Sequence, residues 1–531
     1  MNTTAQFISY KQTGYFSKMV TDYIAGEEKL LPFYNYPVTK EGIKAAIEKR
    51  ISFPTDRQLL VEILGKQYQD VALNGKQKNY LQQLSSDNTF TICTAHQPNI
   101  FTGYLYFIFK ILHIIKLAEE LQIEIPEQNF VPVYYMGSED ADLDELGHIF
   151  INGEKFEWAT KQTGAVGRMK VDKALIQLIE TISGQLLVFP FGAEIIGVMK
   201  QCYKEEVTIE QATFKLVNEL FAAYGLLILL PDSDLVKRAF IPVIKKELTT
   251  GFSHKAVEET VSQFPTVYKA QASGRELNLF YLIDNKRERI EQSGDTFLIV
   301  NTTLKFTLQQ LLQELEDHPE CFSPNVILRP VLQEFILPGI AFIGGGGEIA
   351  YWLELKKVFE AVEVPYPMLI VRNSFMFVNK ESQGIVEKLK LDYSGLFKPA
   401  LEQINQLVQR DSVVQLDLEK EKQQLTELYE QLKNISGSID VTLKTHTAAL
   451  FTQALNKINA LEKKMLSAER KKFEAQQRQL QKLRKELFPN NNLQERVVNI
   501  MPFYAAWGKN FIEMIYDNSK GLDQEFGIIL E

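Results

Sequence analysis

Cysteine is scarce: only Cys93, Cys202 and Cys321 occur in 531 residues, far apart and in no CxxC pattern. That spacing excludes a disulfide framework and points to a reducing, cytoplasmic setting. Long apolar runs are missing as well. No stretch approaches the roughly 18 residues needed to span a bilayer, and the opening MNTTAQFISYKQTGYF lacks the apolar core of a signal peptide. Excess positive charge is absent: the net charge is −9, so bulk electrostatics favour neither nucleic acid nor an anionic membrane. No Walker A, ATP-grasp or KMSKS-like sequence appears. The remaining composition, 45% hydrophobic and 24% charged, is that of a soluble globular protein. Its length is too great for one core and implies roughly two to four domains.

The most informative stretch present is QEFILPGIAFIGGGGEIAYW, Gln333 to Trp352. An apolar run, Phe335 to Ile343, is broken once by Pro338-Gly339 and reads as a buried strand. Gly344, Gly345, Gly346 and Gly347 follow, then Glu348 and a helix-like run from Ile349 to Leu355. Such glycines let backbone approach a ligand, and a helix start offers free N–H groups to an anion. The bland alternative is a turn that packs a helix on a sheet. Four successive glycines favour the ligand site, because they cost conformational entropy.

Strand-like runs recur between helix-like segments. They are Phe90 to Cys93, Phe130 to Met136, Leu226 to Leu230, Val326 to Leu328, the run before the glycines, and Met368 to Val371. A helical stretch, Tyr104 to Leu121, follows the first. This alternation predicts an α/β fold with a mostly parallel, Rossmann-like sheet. Residues 1–379 form this expected core, with inserted subdomains at about 150–215 and 250–325. From 380 to 487 glycine almost vanishes, and Gln, Lys, Glu and Leu dominate. Leu418, Leu425 and Leu432 sit seven apart, Asn434 to Gly437 reads as a turn, and Phe451, Ala454, Ile458, Leu461, Met465 and Ala468 keep a 3-4 spacing. A long antiparallel coiled-coil hairpin is predicted, its second arm, Val441 to Glu486, spanning roughly 70 Å if unbroken. Its many basic residues are interspersed with acidic ones, so a solvated face and self-association are expected rather than nucleic-acid binding. Residues 488–531 are expected to return to the core.

Three clusters can carry chemistry. TAHQPNIFTG packs His96, Gln97, Asn99, Thr102 and Gly103 between the first strand and its helix, where parallel sheets bind ligands. The HxGH signature of nucleotidylyl transferases is incomplete there, since Asn99 stands at the second His. The next strand ends in MGSEDADLDELGH, which gathers Glu139, Asp140, Asp142, Asp144 and Glu145. Crowded carboxylates suit general acid–base work, although acidic residues also favour a helix start for purely structural reasons. The spacing is not that of an EF-hand. Arg329, followed by Gln333 and Glu334, offers a bidentate grip on a carboxylate or phosphate.

FTGYLYFIFKILHIIKLAEEL, PVYYMGSEDADLDELGHI, SPNVILRPVLQEFILPGIAFIGGGGEIAYW and LFPNNNLQERVVNIMPF together resemble the bacillithiol-synthesis cysteine-adding enzymes. The resemblance covers essentially the whole chain, and the blocks stand in the same order. The chain departs from the family pattern at Ala95, His96, Tyr104 and Gly346. The resemblance implies a Rossmann-like core with inserted connecting subdomains and a dimerising coiled coil. It also implies a ligase that joins cysteine to glucosaminyl-malate by an amide bond. Activating the cysteine carboxylate would require ATP or another nucleotide, with Mg as its usual companion. Candidate catalytic groups are Asp140, Asp142 and His96. Candidate binding groups are Gln97, Asn99, Thr102, Gly103, Glu139, Arg329, Gln333, Gly344 to Gly347, Glu348 and Tyr351. Two other classes fit the same residues: a non-catalytic dimeric scaffold for a nucleotide or sugar acid, and a nucleotidylyl transferase.

Overall fold

The computed structural model describes residues 4–271 and 274–531. Its central sheet has five parallel strands: β1 (Thr89–His96), β2 (Asn129–Met136), β3 (Leu227–Leu229), β4 (Gly339–Gly344) and β5 (Met368–Val371). Their order is β5-β4-β1-β2-β3. Every residue of β1 is buried. Its TFTICTAH run therefore lacks polar–apolar alternation, as a strand covered on both faces requires. Pro132 is tolerated inside β2 because pairing with β3 begins only at Val133. The chain leaves β1 toward β2 and β3, then returns to the other side of β1 with β4. This reversal makes the carboxyl ends of β1 and β4 the switch point, where open α/β sheets form their crevice.

Helix α1 (Leu105–Glu124) follows β1, and the single turn α2 (Leu143–Leu146) follows β2. Helices α3 (Arg329–Ile336) and α4 (Gly346–Trp352) flank β4. The apolar run before the glycines is thus helix first and strand second. Pro330 suits the first turn of α3, and Pro338 stops that helix before β4 begins. Val326 to Leu328 is not a strand but the turn into α3, where Asn325 Oδ1 accepts the Ile327 N–H at 2.8 Å.

Two excursions leave the sheet. Between β2 and β3 lie a hairpin, His148–Ile151 with Glu154–Glu157, and three helices of more than ten residues. Between β3 and β4 lies a five-stranded antiparallel sheet that includes the paired strands Leu279–Ile283 and Lys286–Ser293.

Further along, α5 (Glu419–Ile439) and α6 (Thr442–Arg470) form an antiparallel hairpin. Its turn falls at Asp440, whose Oδ1 accepts the Thr442 N–H at 2.8 Å. Residues 434–437, expected as the turn, remain helical because Asp440 supplies the better helix-starting side chain. The second arm ends at Arg470 after 29 residues, about 43 Å at 1.5 Å per residue, rather than running on to Glu486. Beyond a short 3-10 turn, α7 (Glu474–Leu487) buries Leu480, Leu483 and Leu487, and that burial pulls it out of the hairpin. Along the seam Phe451, Ala454, Ile458 and Met465 are half-buried, whereas Leu461 and Ala468 point outward. The last strand, Glu525–Leu530, lies between Thr4–Ser9 and Ser374–Val378. No helix among the described residues is long and apolar enough to cross a membrane.

Candidate functional site

A cleft of about 570 Å³ opens over the carboxyl ends of the parallel strands. Its floor comprises Ala95, His96 and Gln97 at the end of β1, Tyr135, Gly137, Glu139 and Asp140 around the end of β2, Arg329 on α3, and Glu348 and Tyr351 on α4. The inserted antiparallel sheet supplies the facing wall. Phe280 pairs with Arg289 across the two strands, and Arg287 lies two residues from Arg289 on the same face. The Arg287 guanidinium sits 4.0 Å from the Phe280 ring centre.

The acidic loop divides in function. Asp140 Oδ2 accepts from Gln97 Nε2 at 3.0 Å, and its Oδ1 lies 3.6 Å from Arg287 Nη1. Glu139 is paired with the buried Lys237, which also donates to Phe322 O at 2.7 Å. Glu145 lines the cleft, and burial, then Asp142 and Asp140, push its pKa up. Asp142 does not reach the cleft. It accepts the Glu145 N–H at 3.1 Å as the cap of α2 and faces solvent, so its expected catalytic role is replaced by a capping one.

After β1, His96 is packed between Phe107 and Tyr106, with ring centres 5.1 and 5.3 Å away. Burial, then Lys110 and Arg372, pull its pKa well below the usual range, so the imidazole is neutral at pH 7. Its Nε2 has no hydrogen-bond partner. Asn99, Thr102 and Gly103 are buried away from the cleft. The helix start they lead to is not an open anion cradle. The returning C-terminal segment covers it: Leu105 N–H donates to Val498 O at 2.9 Å, and Asn499 Nδ2 donates to Phe101 O and Gly103 O.

The glycine turn is also filled. Gly345 N–H donates to Glu348 Oε2 at 2.8 Å, and the same oxygen takes the buried Lys110 Nζ at 2.6 Å. The chain's own carboxylate thus occupies the cradle expected for a ligand. None of Gly344, Gly345, Gly346 or Gly347 has positive φ. Two of the glycines serve close packing: a Cβ at Gly344 would stand 2.8 Å from the Phe342 ring, and one at Gly346 would stand 3.2 Å from Val20, whereas Gly347 has open space around it. Gln333 is buried beside the site, donating to Glu334 Oε1 at 2.7 Å, and does not line the cleft. Among the described residues no group of three or more His, Cys, Asp or Glu side chains is arranged to hold a metal ion.

Residues 3–373 match the family described as "Bacillithiol biosynthesis BshC, N-terminal Rossmann-like domain", and residues 375–531 match its "C-terminal coiled-coil domain". The chain belongs to the bacillithiol biosynthesis BshC family. Similar proteins bearing the name "Putative cysteine ligase BshC" include one from Flavobacterium johnsoniae, 38% identical over 98% of this chain and 99% of its own length. A second, from Christiangramia forsetii, is 36% identical over 98% of both. A third, from Bacillus cytotoxicus, keeps 24% identity over 94% of this chain and 96% of its own length.

In this BshC-family cleft, several lining or supporting residues escape sequence reasoning. Lys110 had a signal: a lone charge inside the apolar FIFKILHII, where only a buried partner compensates desolvation. Arg287 and Arg289 had a weaker one, the i, i+2 spacing in KRERIEQS. Tyr135 had none, because it stands among the core aromatics of VPVYYM.

Proposed function

We propose that this chain joins cysteine to glucosaminyl-malate by an amide bond, the closing step of bacillithiol synthesis. Full-length membership of the BshC family carries the reading, and the sorting of charge in the cleft supports it. Arg287 and Arg289, on the wall opposite the strand ends, suit the malate carboxylates. Asp140, reached by Gln97 and Arg287, suits the sugar ammonium. Asp140 takes one ammonium proton, and the freed amine attacks the cysteine acyl carbon. The C–N bond forms as the bond from acyl carbon to activated oxygen breaks, that oxygen leaves with the bonding pair, and the nitrogen gives its second proton to water.

A carboxylate does not condense with an amine unaided in water. A nucleoside triphosphate with Mg, as co-substrate, is therefore part of the proposal. The backbone turns do not fit its phosphates, since Glu348 and Val498 already hold the donors there. The coiled coil joins two copies in this reading, using the exposed apolar residues Ile435, Ile439 and Val441 around the hairpin tip.

Purified chain incubated with glucosaminyl-malate, cysteine, ATP and Mg should yield bacillithiol, read by mass spectrometry of the labelled thiol. Asp140→Asn should lower kcat on the order of a hundredfold, with the glucosaminyl-malate KM little changed. No amide product from the wild type with any nucleoside triphosphate overturns the reading. Pyrophosphate release without amide would indicate the transferase class instead.

A further inference from the structure

Two polar groups on one side of the cleft floor lack what their neighbours have. Buried cations around the cleft hold carboxylates: Arg372 with Glu495, Lys110 with Glu348, Lys237 with Glu139, and Arg287 beside Asp140. Arg329 has no carboxylate within ion-pair distance among the described residues. It donates to Tyr351 Oη at 2.9 Å and, at the 3.5 Å limit, to Gln333 Oε1. The second group is the Tyr135 hydroxyl. Other deeply buried tyrosines are satisfied: Tyr10 on Arg372 O, Tyr23 on Leu369 O, Tyr134 on His96 O, and Tyr366 on Trp352 O. Tyr135 is only 1% exposed, and its Oη has no partner. A buried hydroxyl left without its hydrogen bond is costly, and a folded chain rarely leaves one without a use. The Arg329 guanidinium lies 5.5 Å from the Tyr135 ring centre, and both residues line the cleft.

We propose that Tyr135 and Arg329 together bind the carboxylate of the amino-acid substrate. The inference rests on the ligase reading above. A carboxylate would give Arg329 its missing counterion and accept the stranded O–H. Tyr135 lies deep in the cleft floor, so the pair suits the single carboxylate that reacts, whereas the two carboxylates of malate meet the arginines of the inserted sheet. Glu348, the carboxylate on this side, is held by Lys110. The oxygen bound here is the one that stays on the acyl carbon. Negative charge grows on it as the amine attacks, so the same two donors strengthen their hold during the reaction.

The test uses the full chain and its Tyr135→Phe variant, with Arg329→Lys as a second. Calorimetry compares L-cysteine with cysteamine, which lacks the carboxylate, and with inorganic phosphate. The wild type should prefer cysteine to cysteamine by tenfold or more. Tyr135→Phe should erase most of that preference, leave cysteamine and phosphate binding unchanged, and keep or raise the melting temperature, since an unpaired hydroxyl is removed. Arg329→Lys, which keeps charge but loses the planar fork, should also weaken cysteine. An undiminished preference for cysteine in Tyr135→Phe overturns the proposal, as does a wild type with no preference. Loss confined to phosphate also overturns it, and so does a lowered melting temperature with cysteine and cysteamine weakened alike. If the wild type forms no amide, the ligase reading fails, and the binding comparison still judges the carboxylate site.

Discussion

Glu334 is fully buried against Gly339 at the start of β4, with Oε2 unpartnered. Burial, opposed by Arg50 and Gln333, raises its pKa from 4.5 to about 7. The folded state therefore holds this proton more tightly than the unfolded chain. The stability it contributes is fully present below about pH 4.5 and is lost as pH rises through 7. The loss is on the order of 3 kcal/mol at 1.36 kcal/mol per unit. Urea unfolding at pH 5, 6.5 and 8 should show a shallower fall in stability in Glu334→Gln than in the wild type, the remaining slope coming from other raised carboxyls such as Glu210. Parallel curves for the two proteins would refute the assignment.

At the scale of elements, the coiled-coil hairpin makes few demands on the rest of the chain. Leu418 N–H donates to Glu462 Oε1 at 3.0 Å, so the two arms come together at this point. Excising 419–461 and bridging the ends with about four flexible residues should leave the melting temperature of the core unchanged. Sedimentation should then find a dimer for the full chain and a monomer for the shortened one; a retained oligomer would place the contact elsewhere. The Rossmann-like sheet was legible from short apolar runs recurring between helix-like segments, and the coiled coil from its 3-4 spacing. The division of 335–343 into α3 and β4 was not, since apolar residues suit either state and only Pro330 and Pro338 hinted at the boundary. At the site, the acidic loop was legible as charge at a strand end, whereas Arg329 stands at the start of α3, after a stretch expected as a strand. The filled cradles were not, because Val498 and Asn499 arrive from some 400 residues away and Glu348 bonds within its own turn.

For the molecule as a whole, the returning segment decides integrity. Arg372 and Glu495 meet at 2.6 Å and are almost wholly enclosed, and Glu495 also accepts the Phe375 N–H. Removing one charge of such a pair leaves the other stranded, at a cost of about 3–5 kcal/mol. Glu495→Gln should lose stability on this scale in chemical denaturation, and an added Arg372→Met should recover part of it. A loss in the double variant equal to the sum of the two single-variant losses would show that the pair is not coupled. The sheet edge has a consequence for biosynthesis. Thr4 pairs with Leu530 and Ser374 with Phe526, so the central seat of that three-stranded edge belongs to residues the ribosome delivers more than 140 positions after Ser374. During translation the earlier strands wait with unpaired backbone facing water, and this nascent chain is a natural client for a holding chaperone until its last strand emerges.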